Sequence, residues 1–194
     1  MRAVIRNLDR RVDAYFETLR GRATADRVFY TASSLGEFGH IWAMLALVRW
    51  LRGRPNDERA AIRALAAIVV ESLFVNAGLK TLFGRGRPVA EGLVHPHPFR
   101  RPLTSSFPSG HATSAFCAAT LLADQDPLGP AYFALAGVVA ASRVHVKIHH
   151  ASDVLGGVAI GLALGMLGRK LSPLPPPDSH GFRSARARTE RSSP

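Results

Sequence analysis

The sequence predicts an all-α, integral-membrane helical bundle with about five transmembrane helices and an N-terminal amphipathic helix. Apolar residues make up 47% of the 194-residue chain, and they are concentrated in five segments of helical length. The charged residues collect at the two ends and in the connecting loops. A chain of this length forms one domain. We expect residues 1–28 to form an N-terminal amphipathic segment, 29–170 the bundle with its site, and 171–194 a disordered Pro/Ser/Arg tail.

The N-terminal segment, residues 1–22, has the spacing of an amphipathic helix. Its apolar residues recur every three or four positions, with charged residues between them: Val4, Leu8, Val12, Tyr15, Phe16 and Leu19. Such a helix can lie in the membrane interface or pack against the rest of the protein. The pattern is compatible with both.

The five apolar segments are predicted to be helices, at about 30–51, 60–83, 109–123, 130–141 and 153–167. The first two reach the ~20 residues that cross a bilayer, whereas the other three are shorter. Periodicity alone therefore leaves a buried soluble bundle open. The glycines of the fifth segment favour a membrane bundle, because small residues let membrane helices approach closely and would weaken a soluble helix: Gly156, Gly157, Gly161 and Gly165.

Three further features lie outside the motifs: the net charge, the single cysteine and the ionisable residues within the apolar segments. The net charge of +11 suits anionic lipid headgroups better than nucleic acid, because no stacking aromatic residues are interleaved with the arginines. The single cysteine, Cys117, lies in an apolar run and is predicted to pack there.

Glu37, His40 and Glu71 fall inside the first two segments, where ionisable groups face the bundle interior. We interpret them as hydrogen-bonded contacts between helices. The alternatives are residues that support the site from behind and a polar seam that faces the lipid.

The first candidate cluster lies at the end of the second helix, with Lys80 in its last turn and Arg87-Pro88 just beyond it. Pro88 biases Arg87 away from helical geometry. Two cations at one point suit a phosphate, although basic residues also flank many membrane helices.

The second cluster, Pro108-Ser109-Gly110-His111, opens the third helix. Proline suits a first helical turn, and the unpaired backbone N–H groups of a helix N-terminus bind anions. Gly110 allows close approach, Ser109 offers a hydroxyl donor, and His111 is placed to give a proton to a leaving oxygen.

The third cluster contains Arg143, His149 and Asp153. The four-residue spacing at a helix start, with Ser152 as a plausible cap, lets Asp153 hold one imidazole nitrogen of His149 while the other attacks. A zinc site built on His145, His149 and His150 is disfavoured, because these residues do not share one helical face.

Together these clusters resemble the three-part signature of the type 2 phosphatidic acid phosphatase family, which includes lipid phosphate phosphatases and vanadium haloperoxidases. The resemblance covers about residues 80–153. His150-Ala151 departs from the Tyr-Pro expected after the nucleophile, and many relatives have six spans.

The resemblance implies a multi-pass cell-membrane enzyme that hydrolyses a lipid phosphomonoester or pyrophosphate without a cofactor or metal. It implies a phosphohistidine on His149, oriented by Asp153, with His111 as acid and then base. The phosphate would be held by Lys80, Arg87, Ser109, Gly110 and Arg143. The alternatives are a vanadate-dependent haloperoxidase, a lipid headgroup phosphotransferase and a non-enzymatic lipid-binding protein. The sequence leaves the substrate, the membrane side and the oligomeric state open.

Overall fold

The computed structural model describes residues 2–88 and 104–176, and every regular element in these two ranges is a helix. The all-helical prediction is therefore confirmed for this part of the chain. A six-residue π segment, Phe74–Leu79, joins the fourth helix to the short fifth one. The helices are α1 (Arg2–Glu17), α2 (Ala23–Leu35), α3 (His40–Leu51), α4 (Asp57–Leu73), α5 (Lys80–Leu82), α6 (Gly110–Leu122), α7 (Gly129–His145) and α8 (Ala151–Leu171).

The first predicted segment, 30–51, is two helices rather than one. The chain leaves α2 at Leu35, makes a 3-10 turn over Glu37–Gly39, and starts α3 at His40. Phe38 has φ 52° and Gly39 has φ 72°, and left-handed backbone cannot continue a right-handed helix. The prediction of one continuous helix is wrong here, because apolar residues continue on both sides of the break and hydropathy does not change at it.

Helix α6 lies at the centre of the bundle and packs most closely against α8. A Cβ atom added at Gly161 would lie 2.4 Å from the backbone oxygen of Thr113, and one at Gly157 would lie 2.6 Å from that of Ser109. The two backbones are thus in direct contact. Three of the four glycines that predicted close helix packing, Gly157, Gly161 and Gly165, pack against the segment of α6, whereas Gly156 faces Phe107.

The C-terminal end of α6 is capped by arginine side chains from three other helices. These donate to carbonyl oxygens of the last helical turn and to that of Asp124 just beyond it: Arg49 to Leu122 and Asp124, Arg63 to Leu121, and Arg169 to Thr120. Positive charge at this end also offsets the negative end of the helix dipole. The opposite end of α6, with its free N–H groups, begins at Gly110.

Helix α1 packs against α7 and α8 and is part of the bundle. Phe16 is buried in an apolar cluster with Val144 and Val154, and Val12 packs against the same cluster. Val4 and Tyr15, by contrast, are exposed. Of the two interpretations of the amphipathic pattern, packing on the rest of the protein is therefore observed. Some apolar side chains of α1, such as Val4 and Tyr15, remain exposed.

By length and composition, α8 is the one helix within 2–88 and 104–176 that passes as a membrane span. Large apolar side chains also face outward from other helices, among them Met44, Leu47, Val48, Val69, Val70 and Leu73. A bundle with about five membrane crossings stays a prediction.

The first residues of the predicted disordered tail are docked on the bundle. The carbonyl oxygen of Ser172 accepts from Arg63, and that of Pro175 accepts from Asn56. Residues 177–194 lie outside the described residues.

Candidate active site

One cavity of about 1040 Å³ brings the three predicted clusters together. Its wall includes side chains or backbone from all of them: Lys80, Arg87, Gly110, His111, Arg143 and His149. These residues come from the end of the α4–α5 segment, the start of α6, the end of α7 and the α7–α8 loop. The three clusters, which are separate in the sequence, therefore meet at one cavity.

His149 is buried in the α7–α8 loop and is held by a backbone group. Its Nδ1 lies 2.7 Å from the carbonyl oxygen of Ser106, and its Nε2 lies 3.5 Å from Nη1 of Arg87. A carbonyl oxygen only accepts, so Nδ1 carries the proton and Nε2 keeps a lone pair. Burial lowers the pKa of His149 to about 4, which keeps the ring neutral at ordinary pH. The arrangement presents an unprotonated nitrogen beside a cation.

Asp153 lies behind His149, away from the cavity lining. Its Oδ2 is 3.9 Å from Nδ1 of His149, farther than a hydrogen bond. That oxygen accepts instead from the backbone N–H of His150 at 2.8 Å, and Oδ1 accepts from Arg85 at 2.6 Å. The hydrogen bond predicted between Asp153 and His149 is thus replaced by the Ser106 carbonyl, with the carboxylate as a nearby charge.

The start of α8 also differs from the prediction. His150, rather than Ser152, is the N-cap, and it forms a capping box with Asp153. The physical reason is that the Asp153 carboxylate reaches back to the free N–H of His150.

Arg87 is fixed by backbone oxygens from two different segments of the chain. It donates to the carbonyl of Ile148 at 3.0 Å and to that of Thr104 at 3.2 Å. Its guanidinium is therefore held next to His149 before any ligand binds.

Arg143 and His111 share a support that the sequence did not reveal. Arg143, buried on α7, donates to the hydroxyl of Ser33 on α2. The ring of His111 forms a hydrogen bond with the backbone of the same residue. Among the described residues, Nε2 of His111 has no partner, and the ring lines the cavity. Ser33 lies in an ordinary Ala-Ser-Ser stretch, so no sequence signal identified it.

The N-terminus of α6 contributes through Gly110 rather than through the Ser109 hydroxyl. Ser109 is buried, is the N-cap, and accepts from the N–H of Ala112; it does not line the cavity. Pro108 lies before the cap, outside the first helical turn in which it was predicted. Gly110 lines the cavity at the end of the helix that offers free N–H groups to an anion.

The three ionisable residues of the first two predicted segments have different positions. Glu71 is 2% exposed, lines the cavity, and accepts from the Ser114 hydroxyl of α6, so it both joins two helices and forms part of the wall. Glu37 lines the cavity from the turn between α2 and α3, and His40 is exposed.

The sequence model of one family, described as the PAP2 superfamily, matches residues 60–173 of the chain. This stretch is more than half of the chain and contains every predicted site residue. The chain belongs to the PAP2 superfamily.

Curated relatives are similar over much of the chain. The putative undecaprenyl-diphosphatase YbjG of Escherichia coli is 34% identical over 121 residues, which are 61% of this chain and 60% of that protein. The decaprenylphosphoryl-5-phosphoribose phosphatase of Mycobacterium tuberculosis is 32% identical over 140 residues, 71% of this chain and 76% of that protein. The match thus spans less than two thirds of the E. coli relative.

Two solved PAP2 structures have the same fold. LpxE of Aquifex aeolicus superposes with a TM-score of 0.67 at 25% identity, covering 86% of this chain and 95% of that one. A transmembrane PAP2-type phosphatidylglycerolphosphate phosphatase from Bacillus subtilis gives a TM-score of 0.66 at 23% identity, covering 87% and 86%. The likeness to the B. subtilis protein bears on the fold alone, which both comparisons support.

Proposed function

We propose that this PAP2 protein is a metal-independent lipid phosphatase of the cell membrane, which transfers the phosphoryl group of a lipid first to His149 and then to water. The observation that carries the proposal is the state of His149. Its Nδ1 proton is committed to Ser106, and its Nε2 lone pair lies beside Arg87 at the wall of a cavity that His111 also lines.

In the first step, Nε2 of His149 attacks phosphorus and the bond from phosphorus to the lipid oxygen breaks. The electron pair leaves with that oxygen, which takes a proton from His111. Lys80, Arg87, Arg143 and the N–H of Gly110 offset the charge on the equatorial oxygens.

In the second step, His111, now neutral, takes a proton from water, and the water oxygen attacks the phosphohistidine. The bond between phosphorus and Nε2 breaks, its electron pair returns to the ring, and phosphate leaves. The basic side chains neutralise the charge that a metal ion offsets in other phosphoryl-transfer enzymes.

A lipid phosphate is the substrate class that suits the cavity. The cationic residues lie at one part of its wall, while apolar side chains form another part: Phe38, Ile68, Val69 and Leu73. Phe38 and Leu73 are also exposed on the outer surface, which gives an acyl or prenyl chain an apolar path away from the phosphate. Our first candidates are polyprenyl phosphates and phosphatidylglycerol phosphate, because relatives of this chain are named as phosphatases of such lipids.

The test is release of inorganic phosphate by the purified protein in detergent, in the presence of a metal chelator. The panel contains phosphatidate, phosphatidylglycerol phosphate, undecaprenyl phosphate and undecaprenyl diphosphate. We expect release from at least one lipid, loss of release in His149→Ala, and no change in His40→Ala, which removes an exposed histidine outside the cavity. Release by His149→Ala at the wild-type rate, or transfer of phosphate to a second lipid instead of water, would overturn the proposal.

The covalent intermediate has its own readout. Substrate labelled with ³²P should leave an acid-labile, alkali-stable label on the wild-type protein after rapid quenching, and none on His149→Ala. Label that persists in His149→Ala would place the nucleophile elsewhere.

A further inference from the structure

A line of ion pairs runs behind His149, on the side away from the cavity lining. Nη1 of Arg85 donates to Oδ1 of Asp153 at 2.6 Å, and Nη2 of Arg85 donates to Oδ2 of Asp9 at 2.7 Å. Asp153 is fully buried and the Asp9 side chain is 9% exposed, so one guanidinium neutralises two buried carboxylates.

Asp9 belongs to α1 and also contacts the start of α8. Its Oδ1 accepts from the backbone N–H of Ser152 at 2.8 Å, and its Oδ2 accepts from the hydroxyl of the same residue at 3.0 Å. A carboxylate at a helix N-terminus satisfies a free N–H and is favoured by the helix dipole. Asp9 therefore links α1 by hydrogen bonds to the first turn of α8, which carries Asp153.

Arg85 supports His149 by a second route, through its backbone. The carbonyl oxygen of Arg85 accepts a hydrogen bond from the N–H of Ser106 at 2.9 Å. The carbonyl oxygen of Ser106 in turn accepts a hydrogen bond from Nδ1–H of His149. The hydroxyl of Ser106 also donates to the carbonyl of Gly86 at 2.9 Å. Arg85 thus holds both groups that face Nδ1: the Ser106 carbonyl by its backbone and the Asp153 carboxylate by its side chain.

We propose that Arg85 is a positioning residue for His149 and that Asp9 holds Arg85 in place, so that the seating of α1 on α8 governs the rate of phosphoryl transfer. The inference rests on the proposed function for its kinetic readout. Without Asp9, the guanidinium keeps one partner fewer and can turn toward solvent, since its side chain is already 30% exposed. The Asp153 carboxylate then loses one of the two contacts that fix it beside the imidazole and keeps only the His150 N–H. Misplacement of groups around an attacking atom is costly.

The experiment compares Arg85→Ala, Arg85→Lys, Asp9→Asn and the matched control Asp13→Asn. Asp13 lies one turn farther along α1 and pairs with Arg20, outside this network. We expect kcat to fall about 10- to 100-fold in Arg85→Ala and in Asp9→Asn with KM within about twofold of the wild type, and to recover partly in Arg85→Lys. Asp13→Asn should keep the wild-type kcat.

Because the two residues act in series, the double variant Asp9→Asn/Arg85→Ala should be no slower than Arg85→Ala alone. Losses that multiply in the double variant, or wild-type kcat in Asp9→Asn, would overturn the proposal.

A second readout does not depend on turnover. In ¹⁵N-histidine spectra, the hydrogen-bonded Nδ1–H signal of His149, assigned by its absence in His149→Gln, should shift in Arg85→Ala and Asp9→Asn but not in Asp13→Asn. If the wild type released no phosphate while this signal shifted as expected, the proposed function would fail and the coupling would stand. An unshifted signal in both variants would refute the coupling itself.

Discussion

Nδ1 of His149 donates a 2.7 Å hydrogen bond to the backbone carbonyl oxygen of Ser106. The tautomer of the ring is thereby fixed by the main chain, while the Asp153 carboxylate lies 3.9 Å from the same nitrogen. In the proposed mechanism the carboxylate therefore acts mainly through its charge, which stabilises the ring when it becomes positive on forming the phosphohistidine.

Asp153→Asn should accordingly slow turnover without abolishing it. Asparagine retains an oxygen for the Arg85 side chain or the His150 N–H, and the Ser106 carbonyl still sets the tautomer, but the negative charge is lost. We expect kcat for phosphate release to fall about 10- to 100-fold, well short of the loss in His149→Ala. A decrease as complete as that of His149→Ala would mean that the carboxylate, not the carbonyl, fixes the ring.

His111→Gln should affect alkyl phosphates more than aryl phosphates. An alkoxide is a poor leaving group and needs a proton as the bond breaks, whereas a nitrophenolate does not. General acid catalysis contributes about 10²- to 10⁴-fold, so the loss in kcat/KM should reach that size for a lipid phosphate and be smaller for p-nitrophenyl phosphate. His40→Gln serves as the control, and equal losses for both substrates would remove His111 from the acid role.

Gly36→Ala should damage catalysis because it displaces His111. Gly36 is the C-cap of α2, and an added Cβ would lie 3.0 Å from Cδ2 of the His111 ring and 2.9 Å from Cγ1 of Val139. We expect kcat to fall about tenfold or more as the ring shifts. The matched control is Gly137→Ala, where a Cβ meets no atom within 4 Å. If both variants had wild-type kcat, the contact would be too soft to hold the ring.

Gly161→Ala should lower stability rather than act on chemistry alone. Its Cβ would lie 2.4 Å from the backbone oxygen of Thr113, so α6 and α8 must separate. Overpacking of this kind costs about 1–3 kcal/mol and should lower the thermal midpoint in detergent. Gly137→Ala, in the same measurement, should be neutral or stabilising, because alanine favours a helix by about 1 kcal/mol over glycine. An unchanged midpoint in Gly161→Ala would contradict the direct backbone contact.

His149 should make the protein less stable as the pH falls. Burial lowers its pKa from 6.5 to about 4, so between these values the unfolded chain binds a proton that the folded one does not. Stability is then lost as the pH decreases through this window, by up to about 3 kcal/mol. His149→Gln lacks this titration. As the pH is lowered from 7 to 4, the thermal midpoint of this variant should therefore rise relative to that of the wild type. A constant difference across this range would show that the ring titrates normally.

Much of the site could be predicted from the sequence because the three clusters occur together, in the order and internal spacing of one family signature. Lys80, Arg87, His111, Arg143 and His149 were predicted from motif spacing, and the structure places all of them on one cavity. The cavity geometry is consistent with their proposed roles.

The supporting residues were not predictable in this way. Ser33 supports the site from α2 and Asp9 from α1, far away in sequence, and neither lies in a pattern that differs from ordinary helix. Ser106 acts through its carbonyl oxygen, which every residue has. The break at Phe38 and Gly39 was missed because hydropathy is the same on both sides of it.

The sequence by itself determined the helical class, the PAP2 signature and the cationic residues available for a phosphate, because hydrophobic pattern and side-chain chemistry are local properties. Only the tertiary structure decided what holds those residues in place: the Ser106 carbonyl on His149, the Arg85 bridge to Asp153, and the packing of α6 on α8. Hydrogen bonds and close contacts of this kind depend on distances between segments far apart in the chain, and these exist only once the helices have packed.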